Sequence, residues 1–190
     1  MPTRSSYVEV AAEIRRREPR CGAVRVVAVD GVAGAGKSTV AAALAASLGG
    51  APVVHTDDLA SHDRLFGWWP ALVSDLFEPL AHGRPGRYRP YDWTRRDRGE
   101  PREVPVSPVL VVEGVGTGRR ELARWLSYLI WVDADATAAH ERGLGRDLAA
   151  LGPEWHDELT RFWTDWIAAE QAHFAADPTV DRADLVVVRA

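Results

Sequence analysis

The strongest constraint on the fold is a glycine-rich segment at residues 31–38 with the sequence Gly-Val-Ala-Gly-Ala-Gly-Lys-Ser. It fits the pattern G-x-x-x-x-G-K-[ST], a loop whose backbone N–H groups surround the phosphates of a nucleotide. This pattern requires a strand before it and a helix after it. Residues 24–29 are a β-branched run typical of a buried parallel strand, and Val40, Leu44 and Leu48 recur at a helical spacing. We therefore predict that the nucleotide phosphates are bound by Gly31, Ala33, Gly34, Ala35, Gly36, Lys37, Ser38 and Thr39.

Lys37 is the only lysine in the chain, and the other 22 residues of the Lys plus Arg total are arginines. An ammonium group is a compact point charge that can approach the β- and γ-phosphates, where a planar guanidinium fits less well. The position of this one lysine supports the prediction of a phosphate site.

The composition sets limits on the kind of protein. A chain of 190 residues is long enough for one α/β domain and too short for two. Its net charge of −4 argues against a nucleic acid or an anionic membrane as the main partner. The single Cys21 suits a reducing cytoplasm, and no apolar run approaches the roughly 18 residues of a membrane span. Charged residues near the start argue against a signal peptide. We predict a cytoplasmic protein with one domain over residues 1–190.

Continuous apolar runs and helically spaced apolar residues predict the order of the strands and helices. A helix within residues 1–20 precedes the first strand, and further strands are expected at residues 52–56, 109–112, 129–132 and 185–188. Helices are expected after Pro70, around residues 122–126, over residues 135–152 and after Pro153. This order predicts an α/β fold, with a parallel sheet, right-handed crossovers and helices on both faces.

Carboxylates follow two of the predicted strands. Asp57 and Asp58 come after the second, and Glu113 comes after the third. Ligands of open α/β sheets bind beyond the carboxyl ends of strands, so we expect at least one of the Asp pair to be catalytic, although one of them could instead cap a helix. Glu113 stands where a carboxylate can hold Mg²⁺ or its water. For Asp30, a place near the metal and a bracing role in the turn are equally open, and His55 is expected to be a packed strand residue.

Two further segments are candidates for ligand contact. Residues 84–102 hold seven arginines together with Tyr88, Tyr91 and Trp93, and are expected to form a long loop or short irregular strands that grip an anionic ligand and stack on a ring, or else a solvated excursion. The helix over residues 135–152, capped by Asp133 or Asp135, contains two glycines that should weaken it and could form a lid that presents arginines. The aromatic stripe after Pro153 is expected to pack in the core.

With these motifs, the chain resembles uridine-kinase-like members of the P-loop kinase family. They fall in the family's order and cover nearly the whole chain from about residue 24. The matching segments are residues 29–39, 57–58, 91–93, 112–114, 142 with 146–147, and 183–186. The resemblance implies a three-layer P-loop kinase fold with a five-stranded parallel sheet. It also implies transfer of the γ-phosphate of ATP to a hydroxyl of a small-molecule acceptor, with Mg²⁺.

The resemblance also implies roles for individual residues. Lys37 would hold the β- and γ-phosphates, and Asp57 would orient or deprotonate the attacking hydroxyl. The metal would be held by Ser38, Asp57 and Glu113, and the lid arginines that neutralise the transferred group would be Arg142 and Arg146. Substrate contacts are expected from Asp58, Asp63, Trp69, Tyr91, Trp93 and Arg96. Arg95 and Arg96 stand where the family usually has a histidine facing the base, which leaves room for an anionic acceptor.

Three functions remain open on the sequence. The first is a small-molecule kinase, with a nucleoside as the candidate acceptor, and the second is a nucleoside monophosphate kinase of the cytidylate type. The third is a nucleotide-binding module without kinase activity. A GTPase switch is disfavoured because its N-K-x-D motif is absent. A homo-oligomer is compatible with all three.

Overall fold

The computed structural model describes residues 4–189 and shows an α/β architecture. Its helices, in chain order, are α1 (Arg4–Arg16), α2 (Lys37–Ser47), α3 (Trp69–Leu72), α4 (Glu78–Ala81), α5 (Ala136–Leu151) and α6 (His156–Ala176). A π-helical turn (Val73–Phe77) joins α3 to α4, so that the three form one bent helical segment. Among residues 4–189, no helix is both long and apolar enough to cross a lipid bilayer.

Five strands form the central sheet and four short ones lie outside it. The strands of the central sheet are β1 (Arg25–Asp30), β2 (Val53–His55), β7 (Val109–Glu113), β8 (Leu126–Asp133) and β9 (Leu185–Val188). Their spatial order is β2-β7-β1-β8-β9 and every pairing is parallel. In the β2–β7 ladder His55 lies opposite Glu113, so the carboxyl ends of these strands meet at one edge of the sheet. The predicted five-stranded parallel sheet is confirmed.

The core consists of two main apolar layers, one on each face of the sheet. Val27 and Val29 of β1 pack in the same cluster as Ile14 of α1 and Leu44 of α2. The alternate residues Val26 and Ala28 pack in a second cluster, which the α3–α4 segment covers with Leu72, Leu76, Phe77 and Leu80. Successive side chains of a strand point to opposite faces, so a continuously apolar strand needs helices on both sides. This explains the three-layer arrangement.

The helix expected around residues 122–126 is absent, and this prediction was wrong. Only a 3₁₀ turn (Arg120–Leu122) is present there, and Leu126 already begins β8. Leu122 and Leu126 are both buried, so their spacing of four reflects two contacts with the core and not a helical face. Such a short apolar pattern does not distinguish the two cases.

Residues 84–102 form short strands, which was one of the two expected forms. β3 (Gly86–Tyr88) pairs antiparallel with β6 (Arg102–Val104), and β4 (Tyr91–Asp92) pairs antiparallel with β5 (Asp97–Arg98). These two small ladders give the arginine-rich segment a fixed backbone.

The two glycines of α5 do not break it, because the helix is continuous over Ala136–Leu151. Gly143 is buried, and a Cβ there would lie 2.1 Å from Cη2 of Trp163 on α6. Trp163 is itself buried, and its Nε1 donates to Asp147 Oδ2 at 3.0 Å, so the ring is not free to move away. Gly143 therefore allows α5 and α6 to approach closely. A Cβ at Gly145 would meet nothing within 4 Å.

This difference predicts opposite effects of two otherwise identical substitutions. Gly143→Ala should lower the free energy of unfolding by about 1–3 kcal/mol through overpacking. Gly145→Ala should raise it by about 0.5–1 kcal/mol, since alanine restricts the unfolded chain and favours the helix. Urea unfolding of the two variants checks this, and changes of the same sign in both would contradict the packing role of Gly143.

Candidate active site

Residues 31–38, which the sequence predicts to bind phosphates and which we call the phosphate-binding loop, connect β1 to α2, as expected. Asp30 at the end of β1 holds this loop in place. This buried carboxylate accepts hydrogen bonds from the backbone N–H groups of Gly31 (2.8 Å), Gly116 (2.7 Å) and Gly118 (2.9 Å). All three donors are backbone groups of the two loops that follow β1 and β7. Of the two roles left open for Asp30, the structure favours bracing the turn.

Lys37 begins α2 and lies across the loop. Its Nζ donates to the carbonyl oxygen of Val32 at 2.9 Å, and the residue is only 8% exposed. The preceding Gly36 has φ of 90°, which favours glycine and ends the loop at the helix N-terminus. The N-terminus of a helix favours anions because its first N–H groups are unpaired. The loop thus has the geometry of an anion site.

Ser38 and Glu113 meet at the edge of the sheet. Ser38 Oγ donates to Glu113 Oε1 at 3.0 Å, and His55 Nδ1 contacts the same oxygen. Burial acts to raise the pKa of Glu113, but the hydrogen bond from His55 and the charge of Lys37 outweigh it, so that the pKa is lowered. Glu113 is therefore a buried, ionised carboxylate beside a hydroxyl.

His55 does not pack in the core as expected, because β2 is an edge strand. Its side chain is 46% exposed while that of Glu113 is 7% exposed. The hydrogen bond to Glu113 raises the pKa of His55, and partial burial opposes this. A strand of three residues carries too little alternation to show which side faces solvent.

The His55–Glu113 pair predicts a pH-dependent contribution to stability. Because the pKa of His55 is raised in the folded protein, the stabilisation that His55 gives is complete below about pH 6.5. It is lost as the pH rises through the pKa of His55 in the folded protein. The lowered pKa of Glu113 means that its contribution is present above about pH 4.3 and is lost as the pH falls through the folded value. The excess Tm of the wild type over His55→Gln, measured without metal or nucleotide, should be largest between these limits and shrink toward pH 9. A difference that is constant with pH would contradict the pairing.

Asp57 lies in a 3₁₀ turn (Thr56–Asp58) directly after β2 and opens on the same cavity as the phosphate-binding loop. Asp57 is exposed to the cavity, and the loss of bulk water around its carboxylate raises its pKa; the charge of Glu113 adds to this, while Lys37 and Arg146 act in the opposite direction. A carboxylate with a raised pKa is a better proton acceptor near neutral pH.

Oxygen atoms at this edge of the sheet suit Mg²⁺. Ser38, Asp57 and Glu113 supply a hydroxyl and two carboxylates, which are the ligands that this ion prefers. No group of three or more His, Cys, Asp or Glu side chains within residues 4–189 could hold a metal by itself. Magnesium commonly keeps several waters and takes the remaining ligands from substrate phosphates. The residues present fit this mode of binding.

The cavity above the loop has a volume of about 1000 Å³ and is lined by both polar and aromatic side chains. Around the phosphate-binding loop the wall is polar and is completed by Arg142 and Arg146 of α5. Arg146 also pairs with Asp147 at 2.8 Å, whereas Arg142 has no hydrogen bond or ion pair to any residue that the structure describes. The arginines of α5 thus face the same space as Lys37 and Asp57.

Part of the cavity wall is aromatic. Trp93 lies 5.1 Å from His62 and 5.4 Å from Phe162, measured between ring centroids, and its Nε1 donates to the carbonyl oxygen of Asp57 at 3.2 Å. The wall also includes Trp155, which directly precedes α6, and the α6 residues Leu159, Phe162, Trp163 and Trp166. The aromatic stripe of α6 therefore packs, as expected, and also lines the cavity. His62 and the α6 wall were missed as site residues, because a cavity-lining stripe and a packing stripe have the same spacing.

Most arginines of residues 84–102 have partners within the protein. Five of the seven are bound: Arg87 to Glu103, Arg89 to the Gly99 carbonyl, Arg96 to Glu158, Arg98 to the Asp58 and Leu59 carbonyls, and Arg102 to Asp58. Of the seven arginines only Arg96 lines the cavity, and its charge is paired with Glu158. These contacts do not favour the expectation that the whole segment grips an anion, because most of the bound arginines tie the segment to Asp58, Leu59 and Glu158 elsewhere in the chain.

The structure brings twelve of the predicted site residues to one cavity and leaves six off its wall, namely Gly31 and Ala35 of the glycine-rich loop and four predicted substrate residues. Those on the wall are Ala33, Gly34, Gly36, Lys37, Ser38, Thr39, Asp57, Trp93, Arg96, Glu113, Arg142 and Arg146. The Asp58 carboxylate accepts hydrogen bonds from Tyr88 (2.9 Å) and Arg102 (3.0 Å), so it is bound by the arginine-rich segment at residues 84–102. Asp63 is exposed and Trp69 packs against the core. Tyr91 lies behind the cavity wall, where it forms a hydrogen bond with His62 and packs edge-on against Trp93. Direct substrate contact by these four is not supported.

Two solved structures resemble this chain over almost its whole length. One is described as a possible uridine kinase from Bacillus stearothermophilus, with a TM-score of 0.66, 18% identity, and coverage of 96% of this chain and 98% of that chain. The other is described as a candidate fructose transport system kinase from Silicibacter sp. TM1040, with a TM-score of 0.67, 24% identity, and coverage of 98% and 99%. No protein-family model matches the chain, and no curated protein matches it in sequence. At these identities the likeness shows the fold, and the predicted three-layer P-loop kinase fold is confirmed.

Proposed function

We propose that the protein is an ATP-dependent kinase that transfers the γ-phosphoryl group of ATP to a hydroxyl of a small molecule, with a nucleoside as one candidate acceptor. The observation that carries this proposal is that Asp57, Lys37 and the aromatic wall open on one cavity. A triphosphate on the loop and an alcohol against the wall would then meet beside Asp57. The single cysteine and the acidic charge agree with a cytoplasmic enzyme without nucleic-acid or membrane partners.

The phosphates of ATP would be bound by the loop amides and by Lys37. Phosphoryl transfer depends mainly on in-line positioning and on neutralisation of charge. Lys37 would act on the β- and γ-phosphates, and Arg142 and Arg146 on the oxygens of the transferred group. The acceptor oxygen forms a bond to the γ-phosphorus while the bond to the bridging oxygen of ADP breaks.

Asp57 would orient the acceptor hydroxyl and take its proton. Its raised pKa makes it a stronger base than an ordinary aspartate, and it lines the same cavity as Lys37 and Trp93. Ser38, Glu113 and Asp57 would hold Mg²⁺, directly or through water. When bound, this ion neutralises charge on the phosphate oxygens.

The acceptor would lie against the aromatic wall. Stacking and apolar contact with Trp93, Phe162 and Trp155 suit a molecule with a flat or apolar body. The charge of Arg96 is offset by Glu158, so this arginine is not available for a second phosphate, which favours an unphosphorylated acceptor.

A panel of acceptors tests the proposal. The purified protein with ATP and Mg²⁺ should release ADP at a rate that rises with the correct hydroxyl compound among nucleosides, sugars and other small alcohols. A response to nucleoside monophosphates alone would favour the monophosphate kinase alternative. ATP binding without stimulation by any acceptor would favour a nucleotide-binding module and would contradict the proposal.

A further inference from the structure

Glu170 is a buried carboxylate that the proposed mechanism does not use. It lies in α6, is 1% exposed, and is among the largest fully buried side chains of the described chain. Buried carboxylates are rare unless each oxygen has a partner, because removal from water is costly. The partners of Glu170 therefore show what the residue holds in place.

Its two oxygens bind two different parts of the candidate active site. Oε2 accepts from the backbone N–H of Ala33 in the phosphate-binding loop at 2.7 Å. Oε1 lies 2.8 Å from Nε2 of His140 on α5, and because a carboxylate can only accept, the imidazole donates. One side chain thus joins the loop, α5 and α6.

The same junction is closely packed. A Cβ at Gly34 would lie 1.8 Å from the carbonyl oxygen of Ala139, so the backbone of the loop touches that of α5 beside His140. The ring of His140 lies 6.2 Å from that of Trp163, which in turn packs on Gly143. Arg142 follows His140 on the same helix, so the position of that arginine depends on this junction.

We infer that Glu170 is a positioning residue, which fixes the Ala33 segment of the phosphate-binding loop and ties the arginine-bearing helix α5 to it through His140. This inference rests on the proposed function, since it assumes that the loop binds ATP and that α5 presents arginines to the γ-phosphate. The Ala33 N–H is committed to Glu170, so this amide shapes the loop instead of binding phosphate. The contact of His140 sets α5 relative to the loop.

Two variants should separate the two contacts when ATP and ADP affinities are compared by calorimetry with Mg²⁺. Glu170→Leu removes both acceptors but fills the space. It should weaken ADP binding by about tenfold or more, since small misplacements of binding groups have effects of this order, and should weaken ATP binding further because the contact with His140 is lost as well. His140→Ala keeps the bond to Ala33, and should weaken ATP more than ADP because only ATP carries the γ-phosphate. Glu170→Gln retains one acceptor oxygen, and should therefore bind both nucleotides more tightly than Glu170→Leu does.

Leu80→Ala is the matched control. Leu80 is 1% exposed, as Glu170 is, but it lies in the core cluster on the face of the sheet away from α1 and α2. This control substitution should lower Tm without changing either affinity. If Glu170→Leu lowers Tm in the same way and binds both nucleotides as the wild type does, the residue is merely structural and the inference fails. If Glu170→Leu does not fold, wild-type affinities in both Glu170→Gln and His140→Ala overturn the inference equally. Failure of the wild type to bind either nucleotide would refute the proposed function first.

Discussion

Replacing Lys37 with alanine is expected to reduce acceptor-dependent ADP formation by about 10²–10³-fold, the effect of removing one preorganised charge-stabilising donor from an active site. The reason is that Lys37 is the cation that begins α2 inside the phosphate-binding loop, with its Nζ bound only to the Val32 carbonyl. ATP affinity should fall as well, since the same charge acts on the ground state. Steady-state kinetics and calorimetry measure the two effects.

Lys37→Arg is the informative comparison. It keeps the positive charge but replaces a compact ammonium with a planar guanidinium, which should not fit against the Val32 carbonyl and the phosphates together. We expect this variant to remain close to Lys37→Ala in activity, with little change in Tm for either. Activity within a few-fold of wild type in Lys37→Ala would contradict the assignment of the phosphate site.

Replacing Asp57 with asparagine is expected to reduce turnover by about 10²–10⁴-fold while leaving ATP binding intact, as for the loss of a general base. Asparagine has the size of aspartate but cannot take a proton. ATP binding should change little, because the loop amides and Lys37 remain for the phosphates, and Ser38 and Glu113 remain for Mg²⁺.

Asp58→Asn provides the control, because it makes the same chemical change at the adjacent residue. The Asp58 carboxylate is bound by Tyr88 and Arg102, so this variant should lose stability and keep most of its turnover. The raised pKa of Tyr88, about 12, which burial causes first and the bond to Asp58 increases, should also fall in Asp58→Asn. A larger loss of turnover in Asp58→Asn than in Asp57→Asn would reverse the roles of the two aspartates.

The phosphate-binding loop and the strand-end carboxylates could be predicted because the signals are local. A β-branched run, a glycine-rich turn and an alanine-rich helix follow one another directly, and parallel strands place their carboxyl ends at one edge. From these rules alone, Lys37, Asp57 and Glu113 were expected to share a site, and all three line one cavity.

Other features depend on tertiary contacts that a sequence pattern does not contain. Asp57 and Asp58 are equivalent as residues, and only the positions of Tyr88 and Arg102 distinguish them. Gly143 suggests a weak helix until its distance from Trp163 is known. The arginines of residues 84–102 indicate positive charge, but their carboxylate and carbonyl partners lie elsewhere in the chain. The buried Glu170 gives no sequence signal beyond one acid on the apolar side of α6.

The most direct test of the account is a calorimetric titration of the wild-type protein with ATP in the presence of Mg²⁺, repeated with Lys37→Ala. The account predicts saturable binding of one nucleotide per chain to the wild type, and a clear loss of affinity in the variant. No binding to the wild type at millimolar ATP, or equal binding by the two proteins, would contradict the claim that residues 31–38 hold the phosphates of a nucleotide.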